Sequence, residues 1–298
     1  MKLIKPSFEI IEPTGYTLDD IYKSIELAGK VSHKSEHTIK ENSAKEFVDR
    51  MIKLGHGATL EFGTVYLAIP CEFNGNQYNE SWKESKYNSN PYSRVRREYV
   101  ESERNYVDFI TTNLRVLVEN GWLDDLKYLC EPTKFHLKRY TVKFLCSRSI
   151  SHEFVRHRVF SFMQESQRYC LYTANKFDNE ITFIKPCWLK DNICKPYENE
   201  IAVIKDIDNL GEVESEFLVG LSRSETCYKR LIKQGWKAEE AREVLPNATK
   251  TELYMCGYST DWKHFFELRD DKQHAHPQAY ELAHPLHKEF LKRNYIYG

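Results

Sequence analysis

Residues 156–169 read Arg-His-Arg-Val-Phe-Ser-Phe-Met-Gln-Glu-Ser-Gln-Arg-Tyr, and a strand-like run, Tyr140 to Cys146, leads into them. Any fold of this chain must house that dense polar and cationic set close to the end of a strand. Residues 149–158 have the composition of a short helix, with either Ser149 or Ser151 as N-cap. Arg156, His157 and Arg158 would then fall in its last turn, where cations suit the helix dipole and need only be solvated. A bare Arg-His-Arg is best read that way. Ser166 and Arg168-Tyr169, standing in register behind it, shift the reading. Arginine forks match phosphate oxygens bidentately. A neighbouring hydroxyl and side-chain amides can read the polar edge of a ring. The composition suits a phosphate-bearing heterocycle.

Arg-His-Arg, seven residues, Ser166 and then Arg168-Tyr169 resembles the signature of flavin-dependent thymidylate synthases. Further segments share the likeness. Leu268-Arg269 matches a Leu-Arg pair whose arginine, in the family, contacts the uracil and favours its ionised N3. Arg242, in Ala241-Arg242-Glu243-Val244-Leu245-Pro246, matches a second nucleotide-binding arginine. Gly55-His56-Gly57-Ala58-Thr59-Leu60-Glu61 resembles a family segment that lines the flavin, and Val31-Ser32 a further position near it. This chain also departs from the pattern. Ala58 stands where a hydroxyl is frequent, Glu153 where a glutamine is common, and Tyr258 and His264 where asparagines are frequent. Met163-Gln164 replaces an Asn-Glu, so either Glu165 supplies the carboxylate from next door or Gln164 substitutes by hydrogen bonding. The likeness covers residues 28–70 and 140–290, and residues 72–135 read as an insertion.

Bulk properties narrow the classes open to the chain. The chain has 298 residues, 41% of them hydrophobic, enough for one large domain or two small ones. Its 43 basic and 44 acidic residues leave a net charge of −1, which gives no reason to expect a nucleic-acid or membrane-surface partner. No apolar run approaches the ~20 residues that span a bilayer. The first residues, Met1 to Pro6, lack the apolar stretch of a signal peptide, so a cytoplasmic location is expected. The eight cysteines (Cys71, Cys130, Cys146, Cys170, Cys187, Cys194, Cys227 and Cys256) form no Cys-x-x-Cys pair and read as free thiols.

Spacing and capping signals predict α+β, a mixed and largely antiparallel sheet flanked by helices. Thr17-x-x-Asp20 opens a helix in capping-box style, running to about Ala28-Gly29. Ser43-x-x-Glu46 opens another, ending at Gly55. Thr64 to Ile69 reads as a strand. Residues 72–104 are polar and aromatic, with Tyr78, Trp82, Tyr87, Tyr92 and Tyr99. Thr111 or Thr112 starts a helix to Asn120-Gly121. Helices follow at Glu212–Gln234 and Ala238–Leu245, a strand at Leu253–Tyr258, and a helix capped by Thr260.

On that last helix Trp262, Phe265, Phe266 and Arg269 share one face, apolar until Arg269. An inward cation needs a partner, and the alternative is an arginine snorkelling at a fraying helix end. The tail histidines, His274, His276, His284 and His287, read as solvated or structural. A histidine-dependent metallohydrolase built on them stays open as an alternative, with metal ligands otherwise not expected. So does a nucleic-acid module using Tyr92-Ser93-Arg94-Val95-Arg96-Arg97-Glu98-Tyr99 as a stacking and phosphate strip.

The resemblance implies a catalytic domain over residues 1–298 that converts dUMP to dTMP. Methylenetetrahydrofolate is the carbon donor and FAD, reduced by NADPH, the hydride source, in a homotetramer with shared active sites. It implies Arg269 as the catalytic group. Glu153, Arg156, Gln164, Glu165, Ser166, Gln167, Arg168 and Arg242 join it at the substrate. Ser32, His56, Glu61, Arg156, His157, Arg158, Gln164, Tyr258 and His264 are expected at the flavin.

Overall fold

The computed structural model describes residues 1–76, 79–174, 177–189, 195–196, 201–203 and 211–297; Tyr78 and Cys194 lie outside them. In chain order the strands are β1 (Lys2–Ile4), β2 (Ser7–Ile11), β3 (Thr64–Pro70), β4 (Phe73–Asn76), β5 (Asn79–Trp82), β6 (Arg94–Val100), β7 (Asn105–Asn113), β8 (Arg139–Ser147), β9 (Ser161–Gln164), β10 (Thr182–Ile184), β11 (Lys195–Pro196), β12 (Ile201–Val203) and β13 (Lys250–Tyr258). The helices are α1 (Leu18–Lys30), α2 (Ser43–Lys53), α3 (Gly57–Leu60), α4 (Leu114–Asn120), α5 (Arg148–Phe154), α6 (Glu212–Lys233), α7 (Ala238–Ala241), α8 (Ser259–Arg269) and α9 (Pro277–Lys292). Helices and sheets are segregated in the α+β manner, with β1–β10 the parallel exception among largely antiparallel pairs.

The sheet that matters for the site has the order β2-β8-β13-β9. β13 pairs with β8 over its whole length, from Lys250 opposite Ser147 to Tyr258 opposite Arg139. Both faces of β13 are covered, so it reads as a continuous buried run rather than an alternating one. On one face Val142, Phe144, Leu253 and Met255 meet α5, α8 and α9 through Phe154, Trp262, Phe265 and Leu286. On the other, Tyr254 and Cys256 meet Ala28, Val31 and Phe62. Alternation along the strand supplies both layers at once.

Residues 72–135 supply β4 to β7 and α4. β7 pairs with β3 on one side and β6 on the other. Ile110, Leu114, Val116 and Leu117 join Ile21, Phe47, Val48 and Val65 in one apolar cluster, so α4 covers the α1–α2 layer.

Several local expectations need correction. Thr111 and Thr112 are strand residues; the helix begins after Asn113, whose side chain accepts the Val116 amide. Helix α2 starts after Asn42, in the left-handed region, because the Ser43 hydroxyl bonds Glu26 of α1 instead. Thr260 does not cap α8: Tyr258 is the N-cap, and Asp261 accepts its amide. Ser147, not Ser149 or Ser151, caps α5, and α5 ends at Phe154. Arg156, His157 and Arg158 therefore lie beyond the helix rather than in its last turn. β1, β2 and β9, with three, five and four residues, are too short to carry a readable period, and the β6–β7 hairpin and α9 add to the elements that the spacing does not predict.

At Gly257 a Cβ would stand 2.4 Å from Phe160 Cδ1 and Cε1. Gly257→Ala should cost about 1–3 kcal/mol, seen as a lower denaturant midpoint at unchanged slope. Combined with Phe160→Leu, the loss should be smaller than the sum of the two single changes.

Candidate active site at the edge of the sheet

The signature wraps around β9, an edge strand of four residues. Gln164 lies opposite Leu253 and Met163 opposite Tyr254, so consecutive side chains face opposite layers. Gln164 Nε2 donates to Ser151 Oγ (2.8 Å) and Thr251 Oγ1 (3.1 Å) on the α5–α8 side. Met163 faces α3 and the turn after α1.

Arg269 emerges from the apolar face of α8 with its side chain 18% exposed. It is held rather than snorkelled. Nη1 donates to Glu153 Oε2 (2.8 Å), Nη2 to the Glu153 carbonyl (3.1 Å) and Nε to His157 Nε2 (3.1 Å). His157 is buried, its ring 5.0 Å from Phe265 and 6.5 Å from His264. Burial, then the charge of Arg269, then His264 depress its pKa to about 4. The ring is thus neutral and accepts at Nε2. His264 itself is exposed and bonds Glu267. Arg156 and Arg158 are exposed, and their guanidinium groups have no ion-pair partner among the described residues.

On the opposite layer lies a cavity of about 1020 Å³ lined in part by Ser32, His33, His56, Ala58, Met163 and Tyr169. His33 and Tyr169, both in its lining, stack on each other at 4.3 Å. Glu61 stays behind the wall and accepts from Arg115, which does line it. Tyr258 is buried elsewhere: its hydroxyl reaches the Tyr92 and Thr111 carbonyls, and Arg94 and Arg139 lie 4.7 and 5.6 Å from its ring centroid.

The turn after β9 carries the third group. The Ser166 amide donates to the Ser32 carbonyl (3.0 Å), joining the serine to the cavity wall. Arg168 and Arg242 are loosely paired, with Glu239 at 3.6 Å and Glu243 at 3.5 Å, and both belong to or border α7. Gln167 Nε2 is buried without a hydrogen-bond partner among the described residues. Glu165 turns inward, 1% exposed. It takes Lys250 Nζ (2.6 Å) and the Tyr172 hydroxyl (3.1 Å). Lys250 also reaches Glu252, which takes Lys34 and Lys143 at 2.8 and 2.9 Å. Burial pushes the Glu252 carboxyl up, but the three lysines outweigh it and hold it below its ordinary range.

This ionic chain was missed in the sequence. Its signal was there: Lys250 and Glu252, two charges at i and i+2, open an otherwise apolar strand.

The pleat of β6 divides the Tyr/Arg strip, and Arg97 forms a fork with Asp108. His284 and His287 both bond Asp270, and His274 bonds Asp271. Among the described residues, no group of three His, Cys, Asp or Glu could hold a metal, and no helix is long and apolar enough to cross a membrane.

Because folded His157 binds its proton only near pH 4 and the unfolded chain near 6.5, the unfolded state carries more protons between those values. Stability should therefore fall as pH drops through that window, by about 3 kcal/mol. Urea titrations at several pH values should show that slope, and His157→Gln should flatten it.

Residues 78–293 match the family model described as Thymidylate synthase complementing protein. Flavin-dependent thymidylate synthases of Pyrococcus furiosus and Pyrococcus horikoshii are 30% and 34% identical over 151 and 148 residues, 51% and 50% of this chain and 53% and 52% of theirs. A probable flavin-dependent thymidylate synthase of Paramecium bursaria Chlorella virus 1 is 30% identical over 51% of this chain and 66% of its own. The alignments to the Pyrococcus proteins thus span about half of those relatives' length. A UMP/dUMP methylase, PolB of Streptomyces cacaoi, solved with 5-Br dUMP, covers 98% of this chain and 93% of its own at 17% identity and a TM-score of 0.43, too loose to transfer any residue's role. The family model covers well over half of the chain, and the chain belongs to the thymidylate synthase complementing protein family.

Proposed function

We propose that this chain makes dTMP from dUMP, with methylenetetrahydrofolate as carbon donor and FAD, reduced by NADPH, as hydride source. The observation that carries the reading is Arg269, a cation on an apolar helix face, held by Glu153 and by the neutral His157 of the signature. A guanidinium oriented in this way can stabilise negative charge developing on a pyrimidine ring. On this reading Ser166, Gln167 and Arg168 would hold the nucleotide, with Arg168 and Arg242 as the phosphate cations.

The cavity beside Ser32 and His56 is of a size that suits a flavin. Bound there, FAD would supply the hydride chemistry. The stacked Tyr169 and His33 stand in its wall, and Thr59, one residue beyond Ala58, lines it with a hydroxyl-bearing side chain. Arg156 and Arg158, exposed and with no ion-pair partner among the described residues, are available to anionic groups. Arg269 and this cavity face opposite layers of the sheet. Sites completed by a second chain, as in a homotetramer, would bring such halves together. The same reading places the protein in the cytoplasm, where its free thiols stay reduced. None of them is needed as a nucleophile.

Purified protein should retain or take up FAD and form dTMP only with methylenetetrahydrofolate and reduced nicotinamide both present. A preparation that cannot be loaded with flavin, or that oxidises the nicotinamide without making dTMP, would refute the reading.

Arg269→Lys keeps the charge but loses the fork that spans Glu153 and His157. Turnover should fall about 10²–10³-fold, with a much smaller change in the dUMP dissociation constant. Unchanged turnover would remove Arg269 from the chemistry.

A further inference from the structure

The pleat that divides the Tyr/Arg strip sends Arg94 and Arg96 to one face of β6, opposite Thr111 and Phe109 of β7. There they line a cleft of about 570 Å³ with Lys134, Lys138, Phe109 and Phe135. It shares no lining residue with the cavity beside Ser32. Four cations line it, and no aspartate or glutamate does among the described residues.

Some of that charge is already engaged. Arg94 donates to the Pro91 and Ser93 carbonyls, and Arg96 Nε to Glu98 (2.6 Å). Lys134 and Lys138 have no carboxylate within ion-pair distance among the described residues. His136, also in the wall, adds no charge. Burial depresses its pKa, and its two nitrogens are taken by the Leu67 carbonyl and the Thr133 amide.

The floor is aromatic. Phe135 has the Lys134 ammonium and the Arg96 guanidinium 5.0 and 5.4 Å from its centroid, and it leans on Phe109 at 4.8 Å. At the C-terminal side Tyr297, 83% exposed, closes the lining. Aromatic faces stack on a planar base, and ammonium groups with no carboxylate beside them donate to phosphate oxygens. The volume is that of a small-molecule pocket. Arg97 and Tyr99 lie on the other face of β6, so the groove does not continue along the strand as a polynucleotide track would require.

We propose that this cleft is a second ligand site, for a nucleoside polyphosphate. Its phosphates lie against Lys134, Lys138 and Arg96, and its base lies against Phe135. The proposal does not depend on the thymidylate reaction.

The test is calorimetric titration of ATP into the full chain with FAD and dUMP both saturating, which occupies the candidate active site. Expected is one ATP per chain, weakening on added salt. Lys134→Ala/Lys138→Ala, both exposed positions, should weaken it about tenfold, each exposed charge contact being worth a few-fold, while dUMP binding stays unchanged. Adenosine and inorganic tripolyphosphate serve as separate probes, and each should bind more weakly than ATP. No ATP binding, equal binding by wild type and double variant, or tripolyphosphate binding as tight as ATP would overturn the proposal. If the protein takes up no flavin, the same titration without FAD still decides this site, so its fate and that of the thymidylate reading are separable.

Discussion

Everything at the candidate site hangs on the double-sided burial of β13. A strand covered on both faces must satisfy its backbone within the sheet and spend every side chain on packing. β13 does so through its unbroken register with β8, leaving β9 as a short edge partner. The signature inherits its geometry from that arrangement. Residues before β9 fall against α5 and α8, residues within it alternate between layers, and residues after it turn back onto the segment that follows α1.

Two buried electrostatic assemblies hold those pieces. In one, Arg269 is shared between Glu153 and a histidine kept neutral by burial. In the other, Lys34, Glu252, Lys250 and Glu165 form an alternating chain from the turn after α1 to the turn after β9. Removing one member of such a set strands the others in a medium of low polarity, which costs several kcal/mol, whereas the complete set gains little net stability. The value of the chain is geometric. It fixes Ser32 and Ser166 relative to one another, together with the hydrogen bond that the Ser166 amide donates to the Ser32 carbonyl.

Much of this was legible in the sequence, though unevenly. The Trp262-Phe265-Phe266-Arg269 stripe announced an inward cation that needed a partner, and the partner is there. The capping box at Thr17, the αL glycines at Gly55 and Gly235 and the strand at Tyr140 all stand close to where local chemistry put them. What stayed hidden depends on contacts distant in sequence. Asn42 rather than Ser43 begins α2 because Glu26 competes for the serine. Thr111 and Thr112 join a strand because β3 lies alongside, overriding their capping tendency. Glu165 reads like a ligand until Lys250, 85 residues away, draws it inward.

The brevity of β9 has a further consequence. A strand whose neighbours Met163 and Gln164 serve different layers has no tolerance for pairing errors. A slip of one residue would exchange them, putting a carboxamide among Tyr254 and Thr59 and a thioether against Ser151 and Thr251. Four residues cannot prevent that by themselves. The amide of Glu165 on the Glu252 carbonyl, and the Arg139 guanidinium on Ser161, clamp the two ends of the strand. Fidelity of the edge is thus set by residues just outside it. Loss of the Arg139 side-chain clamp would yield a mixture of registers rather than a uniformly weaker fold.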